Sequence, residues 1–324
     1  MTRALAADVV GRALAERTRA GHAFFEAESA RLARLCHLMA ERFARGGRLI
    51  AFGGSPAARS DARHVAVEFV HPVIVGKRAL PALGLAGEGG PLPAQVELAA
   101  EPDDIAIGFG AGEDAVETAA ALAVARGRGC LTLAFAPAGA EWEFEPPSSD
   151  ASIRQELVET LYHVLWELVH VFFDHRGLLE GREARQVHDT GASSFLYPFL
   201  AEQEHDLEAV VDDVRRSVLM KATEVGELRA QTLGEGGEAI VAAAAAVRRA
   251  FDRGGRLLAL GNGGSATDAM DLVADLHTPG YGGPPRPALD LTEDPAILTA
   301  IANDIGTEAI FARQIGRASC RERV

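Results

Sequence analysis

His64 and Glu68 stand four residues apart in Asp61-Ala-Arg-His-Val-Ala-Val-Glu68, so a helix would present an imidazole and a carboxylate on one face. That pair is half of a zinc site, and equally an ordinary surface His/Glu pair. A second group is the loop Gly261-Asn-Gly-Gly-Ser-Ala-Thr-Asp268, set between a strand-like run and a helix-like one. Its glycines allow close backbone approach, the amides at the helix start face outward, and Ser265 and Thr267 bring hydroxyls, a combination suited to a sugar phosphate. On spacing alone it also reads as a tight strand-to-helix turn with no ligand. It is neither a Walker A loop, since no Gly-Lys-Ser/Thr follows, nor a dinucleotide fingerprint. His163, Glu167 and His170 share a face of an apolar helical run, either as working groups or as a half-buried polar stripe at a helix interface.

The elements that must position these groups come as a repeat. Arg45-Gly-Gly-Arg-Leu-Ile-Ala-Phe-Gly53 returns as Arg253-Gly-Gly-Arg-Leu-Leu-Ala-Leu-Gly261, and each copy runs into a small-residue loop, Asp-Ala and an amphipathic segment. The chain therefore reads as two related α/β units. In the first, helix over Val9 to Arg45 precedes a strand at Leu49 to Phe52 and a helix from about Asp61, which caps it, to Val70. Strands at Ala82 to Leu85, Ile105 to Phe109 and Cys130 to Phe135 follow, with a helix at Asp114 to Arg126 and another at Ile153 to Phe173. Alternating strands and helices imply a parallel sheet covered on both faces. In the second copy, helices over His205 to Leu233 and Ala239 to Arg253 lead to a strand at Leu257 to Leu260 and a helix at Asp268 to Leu276. The expected organisation is a first domain at 1–180, a linker at 181–205, and a second domain at 206–315 that lacks its later half.

Composition sets the outer bounds. At 324 residues and 48% hydrophobic the chain can bury substantial cores. A net charge of -14 without a basic stripe argues against nucleic-acid or anionic-membrane partners. Its three cysteines, Cys36, Cys130 and Cys320, lack metal-type spacing and suit a reducing cytoplasm. No signal-peptide core opens the chain, and Leu161 to Phe173 is too short and too polar to span a bilayer. Gly316 to Val324 back-translates to something resembling one strand of a common sequencing-library adapter, so it is set aside as a non-native tail.

Gly261-Asn-Gly-Gly-Ser-Ala-Thr-Asp-Ala-Met270, with Ala302-Asn-Asp-Ile-Gly306 and Ile310-Phe-Ala-Arg-Gln314, resembles the sugar isomerase (SIS) domain family, specifically phosphoheptose isomerases. The likeness is close over Gly254 to Gln314 and looser over residues 40 to 175. It implies two tandem doubly wound parallel-sheet domains, the second incomplete, in a homo-oligomer with sites between subunits. It further implies conversion of sedoheptulose 7-phosphate to a heptose 7-phosphate through an enediol, with zinc often present. By resemblance His64, Glu68, Gln155 and His163 are the metal ligands, Glu68 the base and His163 the acid. Gly261, Asn262, Gly263, Gly264, Ser265, Asp268, Asn303 and Asp304 are by the same likeness the substrate contacts. Gln155 and His163 are separated by roughly 12 Å along a helix, so either a second subunit supplies one or only one ligates.

The chain also departs from the family pattern. The first loop, Gly53-Gly-Ser-Pro-Ala-Ala-Arg-Ser60, is one residue longer, and Pro56 removes an amide donor. Where the family has a hydroxyl-rich phosphate loop, Gly108-Phe-Gly-Ala-Gly-Glu-Asp114 carries two carboxylates instead. Arg59 or Lys77 would offset them, or are surface charges. Asp271 and Asp275 replace the His and Glu positions in the second copy. Two functions follow: an isomerase pairing first-copy catalytic groups with second-copy phosphate contacts, or a non-catalytic sugar-phosphate-binding regulatory or assembly protein.

Overall fold

Leu49–Gly53 is buried at every position, the mark of a strand covered on both faces of a parallel sheet. In the computed structural model it forms β1, flanked by β2 (Ala82–Leu85) and β3 (Ile105–Phe109). The structure describes residues 3–174, 179 and 206–319, apart from 73, 75–76, 87–88 and 280–281. The expected linker at 181–205 and residues 320–324 of the expected tail, Cys320 included, lie outside these. Adding β4 (Leu131–Ala134) and β5 (Trp142–Glu143) completes a parallel sheet in the order β2-β1-β3-β4-β5. Phe144 N–H reaches the Ala134 carbonyl and holds the short edge strand β5.

Alternation along β1 sorts its side chains onto two faces. Leu49 and Ala51 point into a core shared with α1 (Arg3–Ala44), α2 (Pro56–Val70) and α5 (Ala151–Asp174), where Phe25, Met39, Phe69 and Phe172 pack. Ile50 and Phe52 point the other way, onto Leu92 and Val96 of α3 (Leu92–Ala99) and Leu122 of α4 (Ala115–Gly127). Helices on both faces of an all-parallel sheet make this a doubly wound α/β unit.

One boundary differs from expectation. Helix α2 starts at Pro56, because Ser55 caps it by accepting from Ala58 N–H, and proline at the first position carries no amide the helix needs. Asp61 is instead buried a turn further in, at 7% exposure.

At the strand starts, Asp104 is 1% exposed and ties β1 to β3. Its carboxylate accepts from Arg48 N–H at 2.7 Å, from Arg48 Nη2 at 2.8 Å and from Glu101 N–H at 2.9 Å.

Near the end of α5, buried His170 meets two carbonyls, Trp166 O at 2.7 Å from Nδ1 and Arg78 O at 3.0 Å from Nε2. Burial lowers its pKa below the ordinary value, against the pull of both carbonyls, with Lys77 adding to the lowering and Asp174 opposing it. The folded chain thus takes up this proton less readily than the unfolded chain, where the ring titrates near the usual pKa of about 6.5. Stability from this group is complete above that value and is lost as pH falls from there toward the lower folded pKa. Melting temperatures should therefore rise with pH across that window, and His170→Gln should flatten the rise; an unchanged slope would remove His170 as its source.

Helix α6 (Leu207–Asp252) is continuous where the sequence suggested a break after Leu233. Gly234, Gly236 and Gly237 sit within it, each at a cost of about 1 kcal/mol relative to alanine. Compactness divides the chain inside this helix, into Met1–Glu238 and Ala239–Val324, because Val210, Val211, Val214 and Val218 belong to the first unit's core.

The second unit pairs β6 (Leu257–Ala259) in parallel with β7 (Ala288–Asp290), with α7 (Gly264–His277), α8 (Pro295–Asp304) and α9 (Ile310–Ser319). Leu257 faces Ala288 as Leu49 faces Ala82, so the repeat extends to strand register. Among the described residues this sheet has two strands, and no counterpart of β3 pairs with β6. Its buried cluster is correspondingly small, Ala259, Ala269, Val273 and Ala288, while Ile297 and Leu289 are exposed.

Candidate metal centre

Helices α2 and α5 pack on the same face of the first sheet, and their contact brings three ligand-type side chains together. Atoms of His64, Glu68 and His163 lie within 4.8 Å of one another. Glu68 Oε1 is 3.6 Å from His64 Nε2 and 3.8 Å from His163 Nε2. The position combines cover with access: His64 and Glu68 are largely enclosed, while the His163 side chain is 42% exposed at the rim.

The electrostatics favour an ionised carboxylate. The polar approach of His64, 3.6 Å away, lowers the Glu68 pKa most; burial opposes it, and His163, His64 and His71 add to the lowering.

The second nitrogen of each ring is also engaged. His163 Nδ1 donates to the Glu159 carbonyl one turn back, at 2.7 Å, while Nε2 faces Glu68. His64 Nδ1 is 2.9 Å from the Tyr162 hydroxyl. Tyr162 went unnoticed in the sequence because a tyrosine in an apolar run reads as core; its neighbour His163 was the only local signal.

The donor set fits zinc. Two imidazole nitrogens and one carboxylate oxygen form a ligand set used where an open fourth position serves chemistry. Tetrahedral ligands about 2.0–2.1 Å from zinc lie roughly 3.3 Å from one another, so the 3.6 and 3.8 Å from Glu68 to the two rings need small contraction and the three atoms, within 4.8 Å, must draw together around an ion. Gln155 sits two turns nearer the start of α5, roughly 12 Å along the axis from His163. Its Nε2 is buried without a hydrogen-bond partner.

The crevice above β1 and β3, where the order of connection reverses, is where a doubly wound sheet ordinarily takes its ligand. Here a side chain on Gly54 would meet Asp114 and Glu117 carboxylates, so the crevice wall is acidic. Glu117 also accepts from Leu92 N–H at 2.9 Å. Arg59 Nε and Lys77 Nζ are both buried, which corrects the reading of either as a surface charge. Burial lowers the Lys77 pKa.

In the second unit the loop after β6 has an enforced shape. A Cβ on Gly261 would stand 2.1 Å from the Ser265 carbonyl oxygen, and Gly263 has a φ of 57°, so both need glycine. Helix α7 begins at Gly264, four residues before the expected start. Asn262, Ser265 and Asp268 are exposed. Thr267 is buried and donates its hydroxyl to the Gly264 carbonyl at 2.5 Å, so the donor expected for a phosphate is turned inward. Asn303 and Asp304 end α8, exposed, with the Asn303 amide donating to Asp304 at 2.8 Å. Asp271 and Asp275 form no metal-type cluster among the described residues.

A doubly wound α/β unit with a His/His/Glu centre between two helices of one face is thus the class of protein defined. Comparison with known proteins narrows this further. The chain is 39% identical over 107 residues to the phosphoheptose isomerase of Nitratidesulfovibrio vulgaris strain Miyazaki F, covering 33% of this chain and 51% of that protein. It is also 39% identical over 110 residues to the phosphoheptose isomerase of Roseiflexus sp. strain RS-1, covering 33% and 50%. Over that third of its length the chain is similar to phosphoheptose isomerases. It spans about half the length of the curated relatives it matches. The structure of phosphoheptose isomerase GmhA from Neisseria gonorrhoeae aligns with 50% of this chain and 97% of its own at 18% identity, with a TM-score of 0.44. No protein-family model matches the chain.

Proposed function

We propose that the chain is a sedoheptulose 7-phosphate isomerase whose chemistry resides at His64, Glu68 and His163. The observation that carries the reading is their convergence from two helices remote in sequence, on a chain whose relatives are phosphoheptose isomerases. Ketose-to-aldose conversion moves a proton between neighbouring carbons through an enediol, which needs a base at the carbon and an acid near the oxygens. Glu68, held ionised, is the base. Its lowered pKa weakens it as a proton acceptor but keeps it available at neutral pH. His163, at the exposed rim, exchanges protons with solvent and serves the oxygens.

Zinc, held by His64, Glu68 and His163, would polarise those oxygens. Gln155 is the remaining candidate ligand. Because a carboxylate has two oxygens, holding a metal by one leaves the other for the proton.

In the second unit, taken by itself, Gly261, Asn262, Gly263, Gly264 and Ser265, with Asp268, Asn303 and Asp304, are the proposed contacts for a sugar phosphate. The amides opening α7 supply donors that suit an anion. A homo-oligomer in the cytoplasm accords with this reading. No described helix is long and apolar enough to cross a membrane, and Cys36 and Cys130 are free and buried.

The acidic crevice also favours a second reading, a non-catalytic sugar-phosphate-binding regulatory or assembly protein. Incubating the full chain with sedoheptulose 7-phosphate, with zinc and after chelation, separates the two. Formation of a heptose 7-phosphate, followed by NMR and lost on chelation, is expected; saturable binding without turnover in both conditions would favour the second reading.

A further inference from the structure

Helix α5 carries Glu156, His163 and Glu167 at i, i+7 and i+11, one stripe of its surface. Two cations of α6 meet the carboxylates of that stripe. Lys221 Nζ lies 2.6 Å from Glu167 Oε2, with both side chains largely enclosed. Arg229 Nη2 lies 3.6 Å from Glu156 Oε2, and Glu156 also accepts from Arg17 Nε of α1 at 2.7 Å. The lower-numbered cation meets the higher-numbered carboxylate, so this part of α6 runs antiparallel along α5, past His163, within the first unit. Glu167 is one turn beyond His163, roughly 6 Å along the axis. The Lys221 ammonium therefore belongs to the turn next to the rim of the centre, where the His163 side chain is 42% exposed. Lys77, from the connection after α2, lies near enough for Asp174 and Glu167 to favour its charge and for Lys221 to oppose it. This side of the unit thus offers ammonium groups, where the crevice over β1 and β3 offers the carboxylates of Asp114 and Glu117.

We propose that Lys221 is the first unit's own contact for the phosphate of a sugar phosphate whose carbonyl end lies at His64, Glu68 and His163. This inference rests on the isomerase reading above and adds a substrate-binding residue to it. In a seven-carbon sugar phosphate the phosphate and the carbons that exchange a proton stand at opposite ends of the chain, so its cation must lie beside the centre and not in it. An ammonium has three donors, so Lys221 can keep Glu167 and take a phosphate oxygen at the same time. Glu167 then acts in two opposed ways: it holds the ammonium in place, and its own charge repels the arriving anion. The contact is a charge-assisted hydrogen bond, which selects the phosphorylated sugar over the free one.

The test uses the full chain. Steady-state kinetics are compared for the unsubstituted chain, for Lys221→Met, which keeps the apolar stem and removes the charge, and for Glu167→Gln, which breaks the ion pair and keeps the cation. Lys221→Met is expected to raise KM for sedoheptulose 7-phosphate about 10- to 100-fold, the loss of a hydrogen bond to a charged group, with kcat changed far less. Glu167→Gln is expected to keep the unsubstituted KM or lower it. An equal loss in both variants would assign the pair to helix packing and overturn the proposal. A second readout needs neither turnover nor a variant: acetylation of Lys221 by acetic anhydride, followed by peptide mass spectrometry, should be slowed saturably by sedoheptulose 7-phosphate and not by unphosphorylated sedoheptulose. Acetylation that is not slowed would overturn the role of Lys221 while leaving the isomerase reading in place. Slowed acetylation in a chain without turnover would support the phosphate contact and overturn the isomerase reading instead.

Discussion

Under the proposed function, Glu68→Gln should lower turnover of sedoheptulose 7-phosphate by about 10²- to 10⁴-fold, the range associated with a positioned acid or base. The substitution keeps the volume and one oxygen, but an amide neither takes up a proton at neutral pH nor carries the charge that attracts His64 and His163. Both imidazole nitrogens lie within 3.8 Å of the carboxylate, so the loss should reach the whole centre and not one contact. Zinc affinity should fall in the same variant. Because Glu68 lies at the interface of α2 and α5 and not within the apolar cluster, the circular-dichroism spectrum should be unchanged. Steady-state kinetics on the folded variant decide the matter: wild-type turnover would take Glu68 out of the chemistry.

Asp104→Ala should destabilise the first unit by about 1–3 kcal/mol, the cost of leaving buried hydrogen-bonding groups without their acceptor. Truncation strands the backbone amides of Arg48 and Glu101, which Asp104 accepts from, together with the Arg48 guanidinium. That guanidinium, whose pKa is raised chiefly by its hydrogen bond to Asp104, would keep its bond to the Ala99 carbonyl. Asp104→Asn retains one acceptor oxygen and should lose less. Denaturant titration followed by tryptophan fluorescence measures both, because Trp142 and Trp166 lie in the first unit. The comparison belongs to the transition that reports this unit, since a chain of two units need not unfold in one step. An alanine variant within 1 kcal/mol of wild type would show that water satisfies these groups.

The acidic crevice and the enforced glycine loop give the two halves of the chain different chemical characters. Gly108 to Asp114 announces the first in its composition, and the fold adds Glu117 from the next helix. The loop after β6 shows its need for glycine only when the Ser265 carbonyl is seen beneath Gly261, because that contact is made by the turn of α7 back over the loop.

Much of the architecture was legible in the sequence for a local reason. Strands buried on both faces must be apolar throughout, so Leu49 to Phe52 and Ile105 to Phe109 stand out, and the repeat beginning at Arg45 and Arg253 declares two related units. His64 and Glu68 likewise declare a shared face, because four residues on one helix are neighbours whatever surrounds them. Starts and stops were less legible where two signals compete. Ser55-Pro56 outranked Asp61 as a cap, and three clustered glycines failed to interrupt α6.

What tertiary structure alone decided is the distance between helices. His163 and Tyr162 reach α2 because both helices lie on one face of the sheet, and that approach is set by packing of Leu157, Leu161 and Val65 in the common core rather than by any spacing along the chain. The same packing decides which atom of His64 meets the tyrosine hydroxyl. Helical periodicity is a property of one segment and is written in it; a hydrogen bond between segments depends on where the core places them.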